Sequence, residues 1–407
     1  MNFRQYILSH CEVHSGVGRR KMLEALDCWM TSRQEIEQEY DATMAVDTSD
    51  RVKHVLCGVQ DIRGTLKRLA SNEVMDDIQL FEIKHLARAA REIGGYDVDE
   101  VLEILDPNSE NVDTFYIYDI YDERLAGLRR QYKADNDAET LAKVMQVEDE
   151  VRQRLSVRLK RYSLELLDIL ENLGLLDYRI GKRELSEREG LSRPEITDDN
   201  WSFKSLVNLE VRESIGERYQ PIDIDFGMSP TLVTGMNMGG KTVLLKALGM
   251  AQEMLQHGFF VPAANAKMCL VDNVMYSIDD NQSASDGLSS FAAEMVGIDS
   301  IIKAVSTHSR TLVLIDELAR TTNPAEGRMI VNRVVEILCG RGVPSFVTTH
   351  YDGIEGNVRR LRVRGLKESY EGDWREAIDY SLVVTDKDEV PHEAMRVAKA
   401  LGISFLN

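Results

Sequence analysis

The residues Gly235-Met236-Asn237-Met238-Gly239-Gly240-Lys241-Thr242 fit the pattern G-x-x-x-x-G-K-[ST]. That spacing suits the grip of a nucleoside triphosphate. The glycines let backbone N–H groups turn inward around phosphate oxygens, and a helix starting at the end of the loop adds its positive end. Gly235, Asn237, Met238, Gly239, Gly240, Lys241 and Thr242 are therefore the expected nucleotide-binding residues. Lys241 would reach the β- and γ-phosphates, and the Thr242 hydroxyl would be a magnesium ligand. A second segment, Thr311-Leu312-Val313-Leu314-Ile315-Asp316-Glu317, is an apolar run ending in two carboxylates. Asp316 is placed to hold Mg2+, directly or through water, and Glu317 to polarise the attacking water as general base. A third, Phe346-Val347-Thr348-Thr349-His350, ends in a histidine able to hydrogen-bond a γ-phosphate or its water. Taken singly, each has a plainer reading: a chance loop, a buried strand with an acidic end, a structural histidine. In this order they predict Mg2+-dependent hydrolysis of ATP.

Such a loop needs a strand before it and a helix after it. Thr231–Thr234 is β-rich, and the run from Val243 to Met254 has helical apolar spacing. Short β-rich runs at Ile222–Phe226, Thr231–Thr234, Thr311–Ile315 and Ser345–Thr348 alternate with helical segments and glycine turns. That order predicts an α/β domain with a mostly parallel sheet flanked by helices. Residues 1–200 read as helical instead, with sparse glycine and almost no proline. Leu80, Ile83, Leu86 and Ala90, three and four apart, fall on one helix face. The clearest helix is expected from an N-cap at Asp137 to about Asn172. Its Leu155, Leu159, Tyr162, Leu166, Ile169 and Leu173 form a coiled-coil-like seam, and Gly174 is placed to end it. Gly181–Asn200 is polar, contains Pro194 and reads as a linker. The expected division is a helical domain over 1–200 and a nucleotide-binding domain over 201–407.

The composition, 43% hydrophobic and 29% charged over 407 residues, is that of a soluble globular protein. No apolar run reaches the ~18 residues of a membrane span, and no secretory signal opens the chain. Cys11, Cys28, Cys57, Cys269 and Cys339 are scattered, without ligand or disulfide spacing, which suits a cytoplasmic location. The net charge is −19, with about two-thirds of the excess in residues 1–200. An acidic surface opposes the counterion exchange on which nucleic-acid binding depends, although a local basic patch can still exist.

Beyond the general loop pattern, the motifs resemble one family. Asn237-Met238-Gly239-Gly240-Lys241 is similar to the MutS pattern N-M-G-G-K, and Gly258-Phe259-Phe260-Val261-Pro262-Ala263 to its G-x-[YF]-V-P-A. Gly287-Leu288-Ser289-Ser290-Phe291 with Glu294-Met295 resembles G-x-S-T-F-x-x-E-M. Asp316 to Thr322 with Gly327 resembles the D-E-x-x-R-G-T loop, and Thr349-His350-Tyr351 resembles T-H-[YF]. The resemblance is strong over about 230–352 and looser over the helical half, which looks like the family's core and lever domains. It implies an ABC-type composite site, in which Ser289 of a second subunit faces the γ-phosphate, and hence a nucleotide-dependent homodimer. Read without the family, Ser289 is a helix cap. Glu317, His350 and Ser289 are thus the expected catalytic residues, and Thr242 and Asp316 the expected metal ligands. Met236, Leu288, Thr322 and Val243 depart from the family pattern, and no G-R-H-P segment is found for adenine contacts. A mismatch-reading domain, a nuclease-like tail and a C-terminal helix-turn-helix are not expected. The stretch from Asp122 to Asp137 is too short to hold a DNA clamp.

Two clients follow from these departures. Asp316 to Gly327, Thr348 to Gly353 and Glu389 to Gly402 look like an offshoot: the reactivase ATPase of adenosylcobalamin-dependent lysine 5,6-aminomutase. That likeness implies a partner subunit and a protein client. The alternative is a minimal repair factor for mismatched or branched DNA. The basic run Arg359-Arg360-Leu361-Arg362-Val363-Arg364 with Lys367 reads either as a phosphate contact or as an edge strand with a solvated charged face. Phe115, Tyr116, Tyr118 and Tyr121 could stack on bases, but read better as core.

Overall fold

The structure, a computed structural model, describes residues 2–108, 114–235, 239–278, 290–307, 310–356, 358–367 and 378–385. It has α/β architecture and divides into two compact units. One comprises Cys11–Cys28 and Ala42–Glu184, and the other Met1–His10, Trp29–Asp41 and Leu185–Asn407.

The first unit is helical. Asp77–Ile93 opens with a capping box between Asp76 and Gln79 and buries Leu80, Ile83, Leu86 and Ala90, the face expected from their spacing. Glu123–Asp135 and Ala138–Leu159 form a hairpin turned by two residues, Asn136 in left-handed conformation (φ 47°) and Asp137 as N-cap. Leu155, Leu159, Leu166, Ile169 and Leu173 are buried, and Tyr162 packs partly buried against the same core. Phe115, Tyr118 and Tyr121 pack ring against ring at 5.7–6.5 Å, with Tyr118 buried, whereas Tyr116 is exposed.

Gly174 does not end a helix. The chain passes through a single 3₁₀ turn at Lys160–Tyr162 into a helix over Ser163–Glu189, with Gly174 inside it. A Cβ there would lie 2.5 Å from Val17 Cγ1, so this glycine permits close approach of the helix Gly16–Leu26. The supposed linker is also structured: Gly181–Glu189 completes the long helix, and Glu195–Thr197 is a strand.

The second unit carries two sheets. Strands β1 (Glu195–Thr197), β2 (Asn200–Leu206), β3 (Ile222–Gly227) and β5 (Asn265–Cys269) form a small mixed sheet in the order β1-β5-β2-β3. The main sheet has the order β10-β9-β4-β8-β7-β6. It is built from β4 (Pro230–Thr234), β6 (Asn273–Ser277), β7 (Thr311–Ile315), β8 (Ser345–Thr348), β9 (Arg359–Leu366) and β10 (Ile378–Val384). All of its pairings are parallel except β9 with β10. The helices Ser290–Thr307 and Pro324–Gly340 make the β6–β7 and β7–β8 crossovers that parallel pairing demands, and Lys241–Gln256 leads from β4 to β5 of the small sheet. β4, β7 and β8 are buried at every position, as their continuous apolar runs require.

Two strand expectations change. The run at Ile222 belongs to the small sheet, where Ile222, Ile224 and Phe226 alternate with exposed residues. The arginine strand β9 is not an edge, since β10 pairs along its outer side.

The units also divide differently from a break near residue 200. Met30 N donates to Gln256 O (2.9 Å), Gln256 Nε2 donates to Met30 O (3.1 Å), and Tyr40 OH donates to Phe259 O (3.2 Å). These bonds tie the early segment Trp29–Asp41 to the far end of the phosphate-loop helix. Among the described residues no helix is long and apolar enough to cross a membrane.

If Gly174 serves close packing, Gly174→Ala should destabilise the helical unit by about 1–3 kcal/mol, read as a lower urea midpoint. An unchanged or raised midpoint would contradict the close approach to Val17.

Candidate functional site

Strand β4 delivers the chain to Gly235, and the helix Lys241–Gln256 begins where the loop ends, with Gly240 at its N-cap in left-handed conformation (φ 77°). A side chain at Gly240 would be strained by that φ and would meet the Tyr380 ring at 3.1 Å. Gly235 follows β4, and Gly239 and Gly240 lead into the helix that Lys241 and Thr242 open. Met236, Asn237, Met238 and Ser289 lie outside the described residues.

Lys241 is 4% exposed, and its Nζ donates to Gly235 O at 3.0 Å and lies 4.0 Å from Glu317 Oε1. Burial pushes its pKa below the ordinary lysine value, against the opposing pull of Glu317 and Asp316. A buried ammonium at the start of the helix is a ready partner for phosphate oxygens. Thr242 Oγ1 donates to Asp316 Oδ2, so the loop hydroxyl and the strand-end carboxylate are in direct contact. Together they present the hard oxygen donors that Mg2+ takes, and these residues fit that ion.

Beyond β7 the backbone is strained. Glu317 (φ 45°) and Ala319 (φ 61°) both sit in the left-handed region, which side-chain-bearing residues rarely adopt. Three contacts hold them there. Glu317 N donates to Thr348 Oγ1 (2.7 Å), Ala319 N to Glu294 Oε1 (2.7 Å), and Tyr351 OH to Ala319 O (2.7 Å). Gly327 makes room for the last, because a Cβ there would fall 2.3 Å from the Tyr351 hydroxyl. His350 packs against Tyr351 with ring centroids 4.2 Å apart and planes tilted by 39°. Burial lowers its pKa below the usual 6.5, with Glu317 acting in the opposite sense, so the ring is neutral at pH 7.

A cavity of about 280 Å³ is lined by Gly239, Gly240, Lys241, Thr242 and Glu317 together with Val211, Ile215, Arg218, Tyr219, Ile222, Val243 and Tyr380. Its loop and charged residues suit a phosphate chain, and its apolar and aromatic wall suits a planar heterocycle. Gln220 steadies that wall: its Nε2 donates to Asp379 Oδ1 and its Oε1 accepts from Tyr380 N, both at 3.1 Å. These wall residues, like Thr348, Glu294 and Tyr351, carried no assignment from sequence. Glu294 and Tyr351 stand within motifs and so had a signal. Tyr219 and Tyr380 are isolated aromatics in sequence and had none.

The basic run points away from free phosphate binding at two positions. Arg359 pairs with Asp225 (2.9 Å), and Arg360 donates to Ile354 O (2.6 Å).

Residues 231–401 match the family model of MutS domain V, the ATPase domain of that family. The chain is 35% identical over 246 residues to an endonuclease MutS2 of Thermus thermophilus, covering 57% of this chain and 32% of the relative. It is 32% identical over 223 residues to an endonuclease MutS2 of Streptococcus gordonii, covering 54% and 27%. It is 27% identical over 362 residues to a DNA mismatch repair protein MutS of Methanosarcina barkeri, covering 85% and 39%. The matches thus span roughly a third of these relatives' length. The domain match takes in both the loop and the acidic strand, which the sheet places at neighbouring strand ends.

Proposed function

We propose that the chain binds and hydrolyses ATP with Mg2+ and uses the cycle to change conformation. The observation that carries this reading is that Lys241, Thr242 and Glu317 line one cavity, with Asp316 bonded to Thr242 beside it. Lys241 and the loop N–H groups neutralise charge on the β- and γ-phosphates. Thr242 and Asp316 would hold Mg2+, which when bound screens the phosphate oxygens. Glu317 takes a proton from the attacking water as its oxygen bonds to the γ-phosphorus. The bond from that phosphorus to the bridging oxygen breaks, leaving ADP and phosphate. Neutral His350 hydrogen-bonds the γ-phosphate or the water. Ser289 of a second copy completes the site, so nucleotide draws two chains together.

For the client, a protein is the first reading: reactivation of an adenosylcobalamin-dependent lysine 5,6-aminomutase, with a partner subunit. Its support is the likeness of the segments at Asp316, Thr348 and Glu389, together with the acidic residues 1–200. Engagement of Arg359 and Arg360 within the fold supports it too, as does the two-residue turn at Asn136–Asp137, which holds no clamp. The names of the relatives favour the second reading, binding of mismatched or branched DNA. The two separate by measuring whether turnover rises with forked DNA at ~0.15 M salt or whether an inactivated aminomutase regains activity with ATP.

Three outcomes test the hydrolytic reading. Lys241→Met should abolish the thermal shift caused by Mg-ATP while leaving the nucleotide-free protein as stable or about 1 kcal/mol more so, because a buried ammonium is removed. A retained shift contradicts the phosphate grip. Glu317→Gln should bind ATP, lose turnover and persist as a dimer in light scattering, and a variant that stays monomeric at saturating nucleotide rules out the two-subunit site. Because burial depresses the His350 pKa, protonation of its ring should reduce turnover only below pH 6.5. That acid limb should be missing from the pH profile of His350→Asn, and its persistence there assigns the titration to another group.

A further inference from the structure

The hydroxyls along β8 and just after it are used in different ways. Ser345 Oγ donates to Val343 O (3.1 Å), and Thr349 Oγ1 accepts from Tyr351 N (3.0 Å), both within two residues along the chain. Thr348 instead reaches across to the acidic loop. Its Oγ1 donates to Asp316 Oδ1 (2.6 Å) and accepts from Glu317 N (2.7 Å). The residue is fully buried and closes β8, between the phosphate-loop strand β4 and the acidic strand β7. One oxygen therefore touches both the carboxylate that meets Thr242 and the peptide that carries Glu317.

We infer that Thr348 is a positioning residue that sets the direction of the Asp316 carboxylate and the left-handed peptide of Glu317 at once, and so aligns metal ligand and base. The inference rests on the hydrolytic reading above. Its physical basis is double. With Oδ2 taken by Thr242, the bond to Oδ1 fixes the remaining rotation of the Asp316 carboxylate. The bond from Glu317 N opposes the return of a non-glycine residue from φ 45° to the favoured right-handed region. A valine of the same shape would fill the space and lose both bonds. A serine would keep them.

The test compares wild type, Thr348→Val and Thr348→Ser. In the valine variant, turnover at saturating Mg-ATP should fall roughly tenfold to a hundredfold, the usual cost of removing a hydrogen bond that orients a metal ligand. Affinity for a fluorescent ATP analogue should stay within about threefold, since the phosphate grip of Lys241 and the loop is untouched. Mn2+ affinity, titrated by electron paramagnetic resonance with a non-hydrolysable ATP analogue present, should fall about tenfold. The serine variant should return turnover and Mn2+ affinity to near wild type. Unchanged Mn2+ affinity and turnover in Thr348→Val would overturn the inference. So would equal losses in both variants accompanied by a lower melting temperature, which would mark a packing role. If wild type hydrolyses no nucleotide, the hydrolytic reading fails while the Mn2+ titration still decides the role of Thr348.

Discussion

The contact between Thr242 and Asp316 joins two chain segments separated by 74 positions, and it exists because β4, β8 and β7 are parallel neighbours. Parallel strands end at the same edge of a sheet, so the phosphate loop after β4, the carboxylates after β7 and the Thr348–His350 segment after β8 emerge side by side. Grouping ligand-binding loops at the carboxyl ends of such strands is a general property of open α/β sheets. The helices Ser290–Thr307 and Pro324–Gly340 close the parallel pairings β6–β7 and β7–β8. The apolar runs of β4, β7 and β8 therefore do two jobs: they form the core of the second unit and register the site.

A second constraint is backbone strain. Two side-chain-bearing residues within three positions, Glu317 and Ala319, hold left-handed conformations of order 1–3 kcal/mol each. Such strain persists only where the surroundings over-determine it. Here Thr348, Glu294 and Tyr351 each contribute one hydrogen bond, and Gly327 leaves space for the Tyr351 ring. The acidic loop is thus held from the helix Ser290–Thr307 and from the end of β8 with the turn after it, instead of by its own propensity. That arrangement suits a segment whose carboxylates must point in fixed directions in a site that binds and releases a charged ligand.

Electrostatics complete the picture. Burial lowers the Lys241 pKa, while Glu317 and Asp316 act in the opposite sense. A buried ammonium lining the cavity suits an anion there despite the acidic chain as a whole, because local geometry and burial, not net charge, set the potential. Arginines that looked available in sequence are instead engaged by Asp225 and the Ile354 carbonyl, and they stabilise the β9 side of the sheet.

Much of the site was legible from residue order alone. The loop from Gly235 to Thr242, the strand ending in Asp316 and Glu317, and the strand leading to His350 are short-range patterns, as are the buried helix face of Leu80 and the cap at Asp137. Local spacing determines these, because a helix, a strand or a glycine turn is specified within a few residues. What the tertiary structure decided depends on distant partners. Gly174 looked like a helix stop until Val17 stood 2.5 Å from its missing Cβ, and the arginine run looked like an edge until β10 covered it. The early segment Trp29–Asp41 joined the second unit through Gln256. Tyr219, Tyr380 and Thr348 gained their places from packing between strands and helices far apart in the chain, which no local pattern encodes.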